Sequence, residues 1–147
     1  MSVKLYLADT CVVSALMKKE PDSTIAAWMR DVVWYLPSPV VAEIQAGIDA
    51  CPSPVVRAEL ETQLNVILEV DGCLPLNWDI RVARTWGRLQ HSPEVKRQPQ
   101  PLWDSIIDSM GATHNMVVAT DNGKHFRHSA TYDPWTDSEY PPGQAPA

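Results

Sequence analysis

The 147-residue sequence predicts one α/β domain, a parallel sheet covered by helices on both faces. Three observations carry this. Short apolar segments rich in β-branched residues alternate with stretches whose apolar residues recur at helical spacing. No two-residue hairpin signal joins consecutive apolar segments, so the connections must be crossovers. With 45% hydrophobic and 20% charged residues the composition is globular, and the length suits one core.

In chain order, Val3 to Leu7 reads as the first strand, ending in Asp9-Thr10, and Val12 to Met17 as a short helix after it. Asp22 is placed to cap a helix carrying Ile25, Ala26, Trp28 and Met29. Val32 to Leu36 is the second strand. Ser38-Pro39 starts a helix through Val40, Val41, Ile44 and Ile48, because proline loses nothing at the first helical position. Ser53-Pro54 repeats that signal for a longer helix through Val55, Val56, Leu60, Leu64 and Ile67, expected to stop by Asp71-Gly72. Cys73 to Leu76 is a third apolar segment, and Asn77 is read as the cap of a helix bearing Ile80, Val82, Ala83, Trp86 and Leu89. Ser92 to Pro101, polar and proline-rich, reads as a loop. Leu102 to His114 is helical, Met116 to Ala119 is a last strand, and Asp121-Asn122-Gly123 is a turn. Trp135 is a final anchor. The domain is expected to span residues 1–136, with 137–147 a flexible tail, because Tyr140 to Ala147 is rich in Pro, Gly and Ala.

Several function classes drop out. A net charge of −6 argues against a non-specific nucleic-acid coat, which must neutralise phosphates with Lys and Arg. It does not argue against a nuclease, whose cation site gathers acids. Cys11, Cys51 and Cys73 are odd in number and widely spaced, so neither a disulfide framework nor a zinc ribbon is signalled, and a reducing cytoplasm fits. The first apolar stretch is too short for a signal peptide or a membrane span. There is no Gly-rich phosphate loop, no GxSxG and no GxGxxG.

Ligands of parallel sheets sit beyond the carboxyl ends of the strands, which puts Asp9 and Asp121 on one edge. Glu43, in the first turns of one helix, and Asp104, at the start of another, belong to the same edge. Each has a plain structural reading: Asp9 and Asp104 as caps, Glu43 as a surface residue, Asp121 as part of a turn. Two like charges about 4 Å apart repel by roughly 4 kcal/mol at an effective dielectric near 20, so folding alone gives no reason to collect four acids. A hard divalent cation removes that penalty and can activate water for attack on a phosphodiester.

Leu5-Tyr6-Leu7-Ala8-Asp9-Thr10-Cys11-Val12-Val13-Ser14 resembles the opening motif of PIN-domain ribonucleases, particularly the VapC and FitB-like toxins of toxin–antitoxin pairs. Four further stretches agree in order: Val41-Ala42-Glu43-Ile44 with Gly47; Trp86-Gly87; Pro101 with Asp104-Ser105-Ile106-Ile107; and Val117 to Phe126 ending in Asp133-Pro134-Trp135. The resemblance covers nearly the whole chain. It implies a three-layer α/β/α PIN-like fold with a central parallel sheet, endonucleolytic cleavage of RNA with Mg²⁺ or Mn²⁺, and inhibition by an antitoxin protein. It also implies a homodimer.

Asp9, Glu43 and Asp104 match the family's acids. At the fourth position the family's Asp or Asn falls on Asn122, whereas Asp121 supplies the charge. The expected catalytic set is therefore Asp9, Glu43, Asp104 and Asp121, with Asp9, Asp104 and Asp121 on the metal. Thr10, Asn122 and Asp108 are expected to support it. Asp108 shares a helix face with Asp104 and either joins the metal site or points to solvent. Cys11 stands where the family has Asn, a weaker hydrogen-bonder beside Asp9. Lys124, His125 and Arg127 form a basic cluster that either contacts an RNA phosphate or is a solvated turn. Two other readings are a catalytically silent PIN-fold binding subunit and an RNA-processing PIN nuclease without an antitoxin.

Overall fold

A computed structural model describes residues 3–69 and 73–147. Its centre is a six-stranded sheet made of β1 (Leu5–Ala8), β2 (Val33–Pro37), β3 (Leu74–Leu76), β4 (Val117–Ala119), β5 (Thr131–Asp133) and β6 (Ser138–Tyr140), in the order β3-β2-β1-β4-β5-β6. Every neighbouring pair is parallel except β5 and β6. Strand β1 is the switch point. From it the chain builds outward through β2 and β3 on one side and later through β4 and β5 on the other, which opens a crevice at its carboxyl end. Leu7, Ala8, Val118 and Ala119 are fully buried, as expected of central strands covered on both faces.

Among the described residues seven α-helices connect the strands: α1 (Thr10–Leu16), α2 (Ser23–Asp31), α3 (Ser38–Asp49), α4 (Pro54–Glu69), α5 (Ile80–Leu89), α6 (Pro93–Arg97) and α7 (Leu102–His114). Asp22 caps α2 as expected, accepting from the backbone N–H groups of Thr24 and Ile25. The core runs through Val12, Val13, Ile25, Val40, Ile44, Leu64, Val82, Ile107 and Met110, so each helix from α1 to α5, and α7, contributes its apolar stripe. The expected stop of α4 at Asp71-Gly72 lies outside the described residues. No helix among the described residues is long and apolar enough to cross a membrane.

Besides adding β5, which the sequence reading lacks, the structure departs from it in three places. The cap of α5 is Asp79, whose carboxylate accepts from Val82 N–H at 3.0 Å, and not Asn77. The stretch 92–101 is not all loop: Ser92 caps the one-turn α6, with Pro93 at its first position and Val95 buried beneath it. The tail expected from 137 onward includes β6. Here the Asp133 carboxylate accepts from the N–H groups of Trp135 and Thr136, Asp137 takes a left-handed φ of 54°, and the chain folds back onto β5. Lys4 pairs with Glu139 at 2.7 Å on the outside of that strand. Trp135 is the anchor expected of it, packing on the core and donating from Nε1 to Asp22 at 3.0 Å.

Candidate active site

Chain direction alone brings three acids to one edge. Asp9 follows β1 directly. Helix α3 leaves the carboxyl end of β2, so Glu43, in its second turn, starts there. Helix α7 runs back to feed β4 and therefore begins at that same edge, carrying Asp104 in its first turn. Helices α3 and α7 pack on each other, which brings Glu43 and Asp104 over the end of β1.

Asp9 is the anchor, only 5% exposed. Its Oδ1 accepts from Thr10 N–H at 2.8 Å, so it caps α1 as well, and its Oδ2 accepts from the Thr120 hydroxyl at 2.7 Å. Burial pushes its carboxyl up to about 6, and the nearby charges of Asp104 and Glu43 push in the same direction. Asp104 is likewise raised, first by burial and then by Glu43 and Asp108, while a 2.7 Å contact with His125 Nδ1 works against the rise. Glu43 accepts from the Thr10 hydroxyl. The three carboxyl groups thus sense one another, and Thr10 ties two of them together.

Asp121 stands apart. It is exposed and lines a small separate recess of about 80 Å³ with Thr131 and Asp133. The register explains this. Ala8 lies opposite Ala119, so the residue set beside Asp9 is Thr120, and Asp121 falls one place beyond it, facing elsewhere. Only its backbone N–H reaches inward, to the Cys11 sulfur. Asn122 is exposed too, its N–H donating to Thr120 Oγ1 at 3.0 Å. Cys11 sits beside both partners of the Asp9–Thr120 pair, 4.0 Å from Asp9 Oδ2 and 3.7 Å from Thr120 Oγ1, and burial raises its thiol far above the usual range.

Asp108 does not point to solvent. It is fully buried and accepts from the backbone N–H groups of Arg127 and His128 and from Gln100 Nε2, at 2.9 to 3.2 Å. Gln100 also donates to the His125 carbonyl at 2.7 Å. The basic stretch after β4 is therefore no free turn, because the loop is pinned to α7 at two levels: His125 on Asp104, Arg127 and His128 on Asp108. Lys124 alone of the cluster is exposed.

Among the described residues, no three His, Cys, Asp or Glu side chains stand together as oriented to hold one metal ion. The donor chemistry nonetheless fits a hard divalent cation. The donors are all carboxylate oxygens, one of them belongs to a buried group whose pKa is raised to about 6, and Glu43 Oε2 and Asp104 Oδ1 have no hydrogen-bond partner among the described residues.

Thr120, Gln100 and the His125 contact are what sequence reasoning missed. One signal was available: Ala8-Asp9-Thr10 and Ala119-Thr120-Asp121 end adjacent strands with acid and hydroxyl exchanged, so aligning the alanines pairs Asp9 with Thr120.

No model of a known protein family matches the chain. It is 26% identical over 137 residues to the VapC ribonuclease Y4jK of Sinorhizobium fredii, covering 89% of this chain and 98% of that protein. It is 25% identical over 139 residues to Toxin FitB of Neisseria gonorrhoeae, covering 90% and 100%. In fold it matches the crystal structure of FitAcB from Neisseria gonorrhoeae with a TM-score of 0.72 at 23% identity, covering 88% of this chain and 98% of that one. The likeness to VapC- and FitB-like PIN toxins is one of sequence and of fold.

Proposed function

We propose that this VapC- and FitB-like chain is a metal-dependent RNA endonuclease, the toxin of a toxin–antitoxin pair. The observation that carries the reading is Asp9: a carboxyl group 5% exposed at the switch point of a parallel sheet, raised to about 6, with two more acids close enough to raise it further. Folding gains nothing from that arrangement, whereas a bound cation reverses its sign.

Asp9 and Asp104 are the residues that would hold Mg²⁺ or Mn²⁺. When bound, the ion would shield the phosphodiester and lower the cost of deprotonating water. The chain's own residues do the positioning. Thr10 N–H and the Thr120 hydroxyl fix both oxygens of Asp9. Thr10 Oγ1 holds Glu43 at the mouth of the site, placed to accept a proton from the attacking water. His125 orients Asp104.

An antitoxin partner is supported by the relatives and by a recess of about 360 Å³ beside the acids. Met17, Ile44, Ile48 and Leu60 line it, with Thr10 and Glu43 at one end. A segment seated there would cover Glu43.

A second reading, a catalytically silent binding subunit, is favoured by the absence of any three ligands oriented on one point among the described residues. One experiment separates the two. Purified protein incubated with RNA and Mn²⁺ is expected to cleave it, and chelation or Asp104→Asn should reduce the rate by at least about a hundredfold. No cleavage by the parent, with the variant behaving the same, would favour the silent reading.

A further inference from the structure

Arg127 is the loose end of the network that braces the acids. Its side chain is half-buried, its Nε is closed off from water without a partner, and it pairs with no carboxylate among the described residues. His128 repeats the pattern at Nε2. Both face a recess of about 520 Å³ whose other walls include Arg97, Glu94 and the Pro142-Gly143 turn. Closing a guanidinium N–H off from water without a partner is costly, so folding alone gives no reason for this arrangement. Two guanidinium groups and an imidazole against one carboxylate make a positive locality in a chain of net charge −6.

The recess is also rigidly related to the acids. The N–H groups of Arg127 and His128 donate to Asp108, Gln100 links Asp108 to the His125 carbonyl, and His125 meets Asp104, one helical turn before Asp108. An RNA strand with one phosphate at Asp104 and running past His125 would meet these cations next.

We propose that the recess is a phosphate subsite for the RNA backbone flanking the cleaved bond, with Arg97 and Arg127 as its charge-assisted donors and His128 beside them. This rests on the ribonuclease reading above. Glu94 opposes the phosphate and sets a limit on affinity.

The test is steady-state cleavage of a single-stranded RNA by the Mn²⁺-loaded protein across a salt series. Arg97→Gln and Arg127→Gln should each raise KM roughly tenfold with kcat retained, and should lower the salt slope by about 0.7, the value for one phosphate on a single strand. Glu94→Gln should lower KM about two- to threefold. Arg97 is exposed, so its variant keeps the test sound even where loss of the Arg127 side chain lowers the melting temperature. Parental KM and salt slope in both arginine variants, with cleavage intact, would overturn the subsite and leave the ribonuclease reading standing. A parent that neither binds nor cuts RNA would remove both. Stabilisation by inorganic phosphate that the variants lose, without any change in KM, would assign the recess to a free anion and overturn the RNA assignment.

Discussion

At the scale of single residues, the two buried aspartates of this edge are opposites. Asp9 is held short of donors: two hydrogen bonds do not offset its burial and its acidic neighbours, so its carboxyl rises to about 6. Because the folded chain keeps that proton longer than the unfolded chain, the associated stability is fully present below about pH 4 and is lost as pH rises through about 6, a difference of about 3 kcal/mol. Asp9→Asn removes the charge and keeps the shape. In metal-free protein it should melt above the parent at pH 8, and the gap should close on acidification to pH 4; thermal melts across that range check this. Asp108 is the reverse, a carboxyl group fully supplied with donors. Asp108→Ala would strand the N–H groups of Arg127 and His128 in the interior, a loss of about 3 kcal/mol or roughly 6–12 °C in melting temperature.

At the scale of elements, the difference between what was legible and what was not follows from length and register. Helices of two turns or more announced themselves, because an apolar stripe needs several repeats to be visible: α2, α3, α4 and α7 begin within a residue of their signals at Asp22, Pro39, Pro54 and Leu102. Strands β1 and β4 were legible because burial makes them continuous apolar runs, and β2 and β3 because their segments are apolar and bounded by turn and cap residues. Strands β5 (Thr-Tyr-Asp) and β6 (Ser-Glu-Tyr) are as short as β3 and β4 but polar, and the single turn of α6 is too short to show a period. The site divides the same way. Asp9, Glu43 and Asp104 were placed by topology, which a sequence reveals, whereas Thr120 and Asp121 were exchanged by a one-residue register, which it reveals only when strands are aligned. Element packing also sets a close approach. A Cβ on Gly111 of α7 would stand 2.9 Å from Ser129 Cβ, where the Ser129 hydroxyl donates to the Asp108 carbonyl at 2.7 Å. Gly111→Ala should therefore cost about 1–3 kcal/mol despite the gain in helix propensity, read as a lower denaturant midpoint.

At the scale of the whole molecule, the acids have two different neighbours. On the α7 side lies the polar, cationic recess around Arg127; on the α3 side lies the apolar one between Met17, Ile48 and Leu60. A strand of RNA suits the first and is poorly served by the second, whose walls offer a phosphate little beyond Lys18. An inhibitor protein suits the second, since apolar side chains seated there gain about 25 cal/mol per Å² buried and would carry the partner across Glu43. The two functions can then be separated by substitution. Gly47 is exposed on α3, lines the apolar recess, and a Cβ there would meet nothing within 4 Å, so Gly47→Phe can fill the recess without disturbing the core or the acids. The expected outcome is a protein that cuts RNA at the parental rate but is no longer inhibited by, or co-purified with, the antitoxin. Retained inhibition at unchanged affinity would mean that the partner covers the acids from another side.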